Sequence, residues 1–263
     1  MVLILSGTGD GRKITRALIQ KSYPVSVIAS TSYGRELAVE DGAALVGDGL
    51  PADVDTLIKD LGIRVVVDAR HPFNRQDEES LIKTCSEQNI IYLRVGREET
   101  SIASSELVHQ VHSMAEAAEK AVTLGKTIFL TTGSNDLEHF INLQKKHDIR
   151  LVVRVLPEHR VIKKCQDLGI KPRDIVAMQG PFSKQINKAL FKMYRASVVV
   201  TKDSGKAGGT DTKVDAALSL KIPVVIVKRL HNLHNREYGW QEVLKLLLNK
   251  LPLQKNGRDR HEQ

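Results

Sequence analysis

The chain has 263 residues and a formal net charge of +8. Hydrophobic residues make up 41% of it and aromatic residues 4%, so a sizeable core is expected but the broad aromatic platforms that bind single-stranded nucleic acid are not. No apolar run approaches the roughly 18 residues that a membrane helix needs, and Met1–Leu5 is too short for the core of a secretory signal. We therefore expect a cytoplasmic protein with no membrane partner.

The first part of the chain alternates short β-branched apolar runs with amphipathic helical patterns. Strands are predicted at 2–6, 25–29, 44–46, 64–68 and 91–94, and helices at 12–21, 34–40, 52–61 and 76–89. Apolar runs that do not alternate with polar residues, joined by helices, indicate a parallel sheet that is covered on both faces.

A second cycle follows residues 95–112, a weakly patterned segment that we interpret as a linker or an edge strand. Helices are predicted at 113–124, 134–147, 158–168, 183–194, 210–219 and 240–250, and strands at 127–131, 149–155, 174–178, 197–201 and 223–227. The sequence thus predicts two consecutive α/β domains, 1–98 and 99–250, before a disordered tail at 251–263.

A glycine-rich turn, Gly7-Thr8-Gly9-Asp10-Gly11, follows the first strand and precedes a helix. Glycines at 7 and 9 permit a tight turn and close approach of a pyrophosphate, whose charge suits a helix N-terminus. Arg12 stands where the third glycine of the usual G-x-G-x-x-G pattern would be, and Gly11 precedes it. The place of the turn in the chain favours a nucleotide site over a plain glycine-rich turn, which is the alternative. No Lys-Ser/Thr pair follows, so a Walker loop is excluded.

The end of the second strand indicates which nucleotide binds. An NAD site usually places Asp or Glu there, whereas this chain has Ser30, Thr31 and Arg35. A guanidinium and hydroxyl donors suit a 2′-phosphate, which a carboxylate would repel. The sequence therefore predicts NADPH, and the predicted cofactor-binding residues are Gly7, Thr8, Gly9, Asp10, Gly11, Ser30, Thr31 and Arg35.

Three further strand ends carry polar segments, and two of them contain glycine. They are Asp68-Ala69-Arg70-His71-Pro72-Phe73, Thr131-Thr132-Gly133-Ser134 and Thr201-Lys202-Asp203-Ser204-Gly205. Ligands bind at the carboxyl ends of strands in open parallel sheets, so a set of three such segments favours a binding site. Helix capping is the alternative for each segment alone, because Thr, Ser and Asp are good N-caps.

Taken together, seven segments resemble the precorrin-6A reductase family over residues 2–229. They are GTGDG, DARHPF, FLTTGS, VVRVLP, GPF, VTKDSG and the closing Ala216-Ala217 with Pro223-Val224-Val225. The chain differs from the common family pattern at Arg70, where threonine is usual, and at Ser134, where arginine is usual.

The resemblance implies two Rossmann-like domains with a cleft between them, and an NADPH-dependent reduction of a ring double bond in precorrin-6A or its cobalt-containing counterpart during cobalamin synthesis. The implied substrate is an anionic tetrapyrrole derivative, whose acetate and propionate groups would give the excess positive charge a partner. Hand-over to other enzymes of the corrin pathway is a further expectation, and nucleic acid is not an expected partner.

The resemblance and the strand ends together suggest roles for individual residues. His71 is a candidate proton donor or substrate hydrogen-bonder, with Asp68 beside it in the predicted catalytic set, although a histidine that bonds its own loop is the alternative. Predicted substrate-binding residues are Arg70, Thr132, Gly133, Lys202, Asp203, Ser204 and Gly205. No metal is expected, since His109 with His112 and His231 with His234 lack further ligands in suitable spacing.

Two other functions were weighed against this one. A short-chain dehydrogenase needs a Tyr-x-x-x-Lys pair, and none of the five tyrosines has lysine four residues later. A non-catalytic NADPH-sensing or nucleic-acid-binding regulator would use the glycine turn and the basic charge, but it leaves DARHPF and VTKDSG unexplained.

Overall fold

The computed structural model describes residues 1–29, 31–45, 47, 54–75, 77–102, 104–144, 146–229 and 236–251, except for the side chain of 55. The chain divides into two compact units. The first consists of Met1–Arg97 together with the C-terminal segment from 232, and the second of Glu98–His231.

The first unit is a parallel sheet with helices on both faces. Its strands are β1 Val2–Ser6, β2 Val25–Ala29, β3 Ala44–Leu45, β4 Val65–Ala69, β5 Ile91–Val95 and β12 Glu237–Tyr238. Its helices are α1 Gly9–Gln20, α2 Ser32–Glu40, α3 Val54–Asp60, α4 Glu78–Glu87 and α10 Trp240–Lys250. The strand order is β12-β5-β4-β1-β2-β3, with all pairs parallel.

The continuous apolar runs form this sheet because both of its faces are buried. Along β1, Val2 and Ile4 belong to the core that includes α1 and α10, whereas Leu3 and Leu5 belong to the core on α3 and α4. Successive strand side chains point to opposite faces, so an unbroken run of apolar residues fills both cores at once.

The second unit repeats this architecture. Its strands are β6 Val108–Val111, β7 Thr127–Leu130, β8 Arg150–Val155, β9 Ile175–Ala177, β10 Val198–Lys202 and β11 Val224–Val227. Its helices are α5 Met114–Leu124, α6 Leu137–Gln144, α7 His159–Asp167, α8 Lys184–Met193 and α9 Thr210–Leu218. The order is β6-β11-β10-β7-β8-β9, again parallel throughout. Phe129 anchors the core against α8, with its ring 5.1 Å from that of Phe191.

In each sheet, the direction in which the chain adds strands reverses at one point. In the first unit the chain adds β2 and β3 on one side of β1 and then β4 and β5 on the other; in the second unit β7 has the same position between β8 and β10. The carboxyl ends of β1 and β4, and those of β7 and β10, therefore flank the switch points where open parallel sheets bind ligands.

The α/β class and the two parallel sheets predicted from the sequence are confirmed, with two differences. Each sheet has a sixth strand: β6 lies within the segment interpreted as a linker or edge strand, and β12 was not predicted. The C-terminal helix α10, which we expected in the second domain, lies in the first unit because Val243 and Leu247 are buried in its core. In addition, Tyr23 Oη donates a hydrogen bond to the carbonyl of Leu251, 2.6 Å away.

The predicted disordered tail after Leu251 lies outside the described residues. Within the described ranges, no helix is both long enough and apolar enough to cross a membrane.

Candidate functional site

The glycine turn after β1 has one open glycine between two crowded ones. A Cβ at Gly7 would lie 3.2 Å from Arg70 Cα, and a Cβ at Gly11 would lie 2.9 Å from Ala69 Cβ. A Cβ at Gly9 would meet nothing within 4 Å. Gly7 and Gly11 therefore let the turn and α1 pack against the end of β4, while Gly9 leaves open space at the start of the helix. Gly11 provides the close helix–strand packing that the third glycine provides in the usual pattern.

Thr8 fixes this turn to the neighbouring strand. Its hydroxyl caps α1 by accepting a hydrogen bond from the amide of Gly11 at 3.3 Å, and it donates to the carbonyl of Ala69 at 2.9 Å. Thr8 is therefore a helix N-cap that also ties β1 to β4.

Asp10 and Arg12 are both occupied by partners within the first unit. Asp10 is buried and accepts from Arg97 Nε at 2.8 Å and from Lys13 Nζ at 3.1 Å. Burial alone would raise the pKa of Asp10, but the hydrogen bonds from Arg97 and Lys13 outweigh it and lower the pKa below its ordinary value. Arg12 pairs with Asp41, with Nε 2.6 Å from Oδ2.

The predicted coenzyme-selecting residues follow β2, next to the glycine turn. Thr31 caps α2 by accepting from the amide of Gly34 at 3.0 Å, and Arg35 is half-buried in the first turns of that helix. Ser30 lies outside the described residues. Ser6, Ala29 and Ala69 are level in the sheet register, so the ends of β1, β2 and β4 share one edge of the sheet.

Asp68 is the centre of a buried network at the end of β4. Its side chain is 0% exposed and accepts from Arg70 Nε at 2.9 Å, from Arg70 Nη2 at 2.6 Å and from Tyr92 Oη at 2.9 Å. Arg94 Nη1 lies 2.7 Å from Asp68 Oδ2 as an ion pair whose angle is not that of a hydrogen bond. Burial raises the pKa of Asp68, but the Arg70 hydrogen bond and the Arg94 charge lower it below the usual range.

This network holds the loop that carries His71. Arg94 Nη2 donates to the carbonyls of His71 and Asn74 at 3.2 and 3.3 Å. The amide of Phe73 donates to His71 Nδ1 at 3.3 Å. An imidazole that accepts at Nδ1 carries its proton on Nε2, so the loop selects the tautomer that donates from Nε2. The loop-bonding alternative for His71 is therefore present at Nδ1.

In the second unit, the turn after β10 uses most of its polar groups internally. Lys202 Nζ lies 2.5 Å from Asp136 Oδ2, and Lys228 Nζ lies 2.6 Å from Oδ2 of the fully buried Asp203. Burial raises the pKa of Asp203, but the hydrogen bond from Lys228 lowers it below its usual value. The amide of Ser204 donates to Thr210 Oγ1 at 3.1 Å.

Gly205 completes this turn with φ of 76°, and its amide donates to Asp203 Oδ1 at 3.3 Å. Residues 202–205 were predicted to touch substrate. The structure gives Asp203 and Ser204 the positions of turn-forming residues, with buried side chains.

The other predicted segment of this unit, Thr132 and Gly133, borders a pocket of about 220 Å³. Thr132 Oγ1 is buried and has no hydrogen-bond partner among the described residues, and Gly133 has φ of +81°. Two cations that sequence reasoning did not single out, Arg154 and Lys213, line the same pocket. The sequence signal for Arg154 is that it interrupts an apolar run in VVRVLP, between buried valines of β8.

Possible metal ligands do not gather in the described residues, where no group of three or more His, Cys, Asp or Glu side chains is found. His109 lies in β6, and His231 and His234 lie outside the described ranges.

Comparison with protein families and curated proteins gives a consistent result. The family described as "Precorrin-6x reductase CbiJ/CobK" matches residues 1–247. A cobalt-precorrin-6A reductase of Priestia megaterium is 34% identical over 253 residues, which cover 95% of this chain and 99% of the relative. A cobalt-precorrin-6A reductase of Methanothermobacter thermautotrophicus is 38% identical over 87% of this chain and 76% of the relative.

Among solved structures, the CobK precorrin-6A reductase superposes with a TM-score of 0.78. The alignment covers 94% of this chain and 96% of that one, at 19% identity, which supports the fold.

Proposed function

Because the chain belongs to the precorrin-6x reductase CbiJ/CobK family, we propose that it is a cytoplasmic precorrin-6A reductase of cobalamin biosynthesis, which uses NADPH to reduce a ring double bond of precorrin-6A or its cobalt-containing counterpart. The observation that carries this proposal is the family match over 1–247, within which the glycine turn after β1 and the cationic pocket beside Thr132 both lie.

The residues after β1 and β2 fit a dinucleotide. The space over Gly9, at the start of a twelve-residue helix, suits a pyrophosphate, because backbone N–H groups and the helix dipole favour negative charge there. Thr31 and Arg35 are the residues we assign to the adenosine ribose and its 2′-phosphate. When bound, NADPH supplies the hydride.

The protein's own chemical task is to hold the ring and to deliver a proton to the carbon next to the reduced one. His71 is the side chain we assign to that proton: its loop selects the Nε2–H tautomer, so Nε2 would hydrogen-bond the substrate and pass on a proton that solvent replaces. Asp68 has no exposed surface, so we assign it a positioning role: with Arg94 it holds the carbonyls of His71 and Asn74.

Replacing His71 with alanine is expected to lower kcat by about a hundredfold, the usual contribution of a general acid, and to leave the dissociation constant of NADPH unchanged. The measurement is anaerobic steady-state turnover of precorrin-6A and of its cobalt form, together with NADPH titration. Asn74→Ala, which alters an exposed side chain of the same loop, is the control and is expected to keep full turnover. Full turnover by His71→Ala would remove this residue from the mechanism.

Replacing Arg35 with aspartate is expected to lower kcat/KM for NADPH by about tenfold to a hundredfold and to raise it for NADH. A carboxylate repels a 2′-phosphate and binds a free ribose hydroxyl, and hydrogen bonds to charged groups contribute about 1.5–3 kcal/mol. Glu36→Gln, at the exposed neighbouring position of α2, is the matched control. An unchanged preference between the two coenzymes would show that Arg35 does not contact the 2′-phosphate.

The proposal as a whole is tested by anaerobic incubation of the wild-type chain with NADPH and each substrate, following loss of NADPH absorbance. Oxidation of NADPH that requires the substrate supports the proposal. Its absence with both substrates would reject it, and salt-dependent DNA binding in the same preparation would favour a regulator instead.

A further inference from the structure

The pocket in the second unit, beside the carboxyl ends of β7 and β8, combines a cationic interior with an apolar rim. Arg154 and Lys213 contribute the charge, and Leu156, Met178 and Phe182 contribute apolar surface. Leu156 and Met178 are among the large hydrophobic side chains that remain exposed, at 42% and 38%. The described residues that line the pocket include no aspartate and no glutamate.

Arg154 is a buried guanidinium without a counter-ion. It is 6% exposed, it donates from Nη1 to the neutral Oδ1 of Asn187 at 2.7 Å, and it stacks on the Phe182 ring at 4.3 Å. In the part of the chain that the structure describes, no carboxylate lies within ion-pairing distance of it. Burial lowers the pKa of Arg154 to about 10. Burying a lone cation is costly, so its retention needs an explanation other than folding.

Lys213 is half-buried, and among the described residues no ion pair or hydrogen bond satisfies its ammonium group. Burial followed by repulsion from Arg154 lowers the pKa of Lys213 to about 8, against the opposing attraction of Asp211 and Asp203. Two cations that repel one another in one pocket destabilise the unliganded protein, and a bound anion would relieve both penalties.

Other groups around the pocket are also donors. Thr132 Oγ1 is buried without a partner among the described residues. Helix α9 begins at the pocket without a side-chain cap, because Gly209 is at the N-cap position with φ of 68°. The positive end of the α9 dipole thus adds to the field of the two side chains, and Asp211 in the first turn, whose Oδ1 accepts from the Thr212 amide at 2.8 Å, offsets part of it.

We propose that this pocket is an oxyanion subsite, in which Arg154 and Lys213 bind a carboxylate or phosphate group attached to a largely apolar body. This inference rests on the proposed function for the ligand's identity: the anion is a peripheral carboxylate of the corrin precursor or a phosphate of the nucleotide. The two sources share the chemistry of an oxyanion that accepts charge-assisted hydrogen bonds.

The first test does not depend on the reaction. Tricarballylate and inorganic pyrophosphate, as small carboxylate and phosphate probes, are expected to raise the melting temperature of the wild-type chain. In Arg154→Met, the part of that rise that comes from this pocket is expected to disappear. Without a probe, Arg154→Met is expected to melt at or above the wild-type temperature, because the substitution removes an uncompensated buried charge. Equal probe-induced rises in wild type and Arg154→Met would overturn the proposal.

The matched control is Arg150→Met on the same strand. Arg150 pairs with Asp174 at 2.6 Å and donates to the carbonyl of Tyr194, so its loss is expected to lower the melting temperature and to leave every ligand affinity unchanged. The two variants remove the same side chain with opposite expected effects on stability, which separates ligand binding from folding.

The second test identifies the source of the anion. Separate titrations with the corrin substrate and with NADPH are expected to show a dissociation constant raised at least about tenfold in Arg154→Met for one of the two. A higher dissociation constant for the corrin substrate would show that the pocket binds a carboxylate of that substrate. A higher dissociation constant for NADPH would show that it binds a phosphate of the nucleotide. Unchanged affinities for both would overturn the subsite, whereas wild-type binding of both ligands without turnover would count against the proposed function alone.

Lys213 adds a pH dependence to the same titrations. Its ammonium is charged below about pH 8, so the affinity for the anion is expected to be highest there and to fall by about tenfold as pH rises from 7 to 9.5. Lys213→Met is expected to bind the anion more weakly at pH 7 and to show no such fall in affinity between pH 7 and 9.5. A fall in affinity of the same size in wild type and Lys213→Met would show that the lysine does not contact the ligand.

Discussion

Asp68→Asn is expected to destabilise the first unit by about 3–5 kcal/mol, because it leaves buried arginine charges without their counter-ion. Arg94 is 1% exposed and Arg70 is half-buried, and both lie within 2.7 Å of Asp68 Oδ2. Asparagine keeps the shape of the side chain and one hydrogen-bond acceptor, so the loss of stability results from the removed negative charge and not from altered packing. Urea unfolding of the wild type and of Asp68→Asn measures this difference in stability, and the midpoint of the variant is expected at a lower urea concentration.

A surface ion pair of the same unit provides the control. Lys83 and Glu87 are 77% and 61% exposed on α4, with Nζ and Oε1 3.8 Å apart, so Glu87→Gln is expected to change stability by less than about 1 kcal/mol. Combining Asp68→Asn with Arg94→Met is expected to cost less than the sum of the single changes, since the orphaned charge is removed. Additive effects would contradict the buried-network account.

The same carboxylate predicts how stability depends on pH. The pKa of Asp68 is lowered in the folded protein, because the Arg70 hydrogen bond and the Arg94 charge outweigh burial. The unfolded chain therefore binds the proton more readily, and the contribution of Asp68 is complete above its ordinary pKa of 3.8 and lost as pH falls below that value. Asp68→Asn is expected to show a smaller loss of stability on acidification than the wild type.

The architecture could be predicted from sequence because each central strand is an apolar run buried on both faces. Of the two additional edge strands, β6 lies in a segment that we interpreted as a linker or an edge strand, and β12 was not predicted. β6 reads Val-His-Gln-Val and is only half-buried, and β12 has two residues, so neither contains an apolar run that distinguishes a strand from a loop. The position of α10 in the first unit depends on contacts with residues more than two hundred positions away, which local patterns do not encode.

The same limit applies to the candidate site. Strand-end position singled out Thr132, which borders the pocket. Whether a polar side chain faces a ligand or an internal partner depends on distant residues: Asp203 pairs with Lys228, and Asp68 pairs with Arg94. Lys213 stands in helix α9, where a lysine normally indicates a solvent-exposed position, and only the fold brings it to the pocket that Arg154 lines.

Gly11→Val is expected to cost about 3 kcal/mol, because even the first atom of the new side chain would lie 2.9 Å from Ala69 Cβ, a rigid atom of β4. Gly9→Val is the matched change two residues earlier, in the same turn of the same helix. A Cβ there meets nothing within 4 Å, so Gly9→Val is expected to melt near the wild-type temperature.

For NADPH affinity the expected order is reversed, since Gly9→Val is expected to have the larger effect of the two variants. In the proposed function, the space over Gly9 holds the pyrophosphate, so the Gly9→Val side chain is expected to raise the dissociation constant of NADPH at least tenfold, or about 1.4 kcal/mol. In Gly11→Val, adding Ala69→Gly removes the opposing Cβ and is expected to restore part of the lost stability. Wild-type NADPH affinity in Gly9→Val would mean that the pyrophosphate does not approach this turn, whereas wild-type stability in Gly11→Val would mean that α1 does not pack closely on β4.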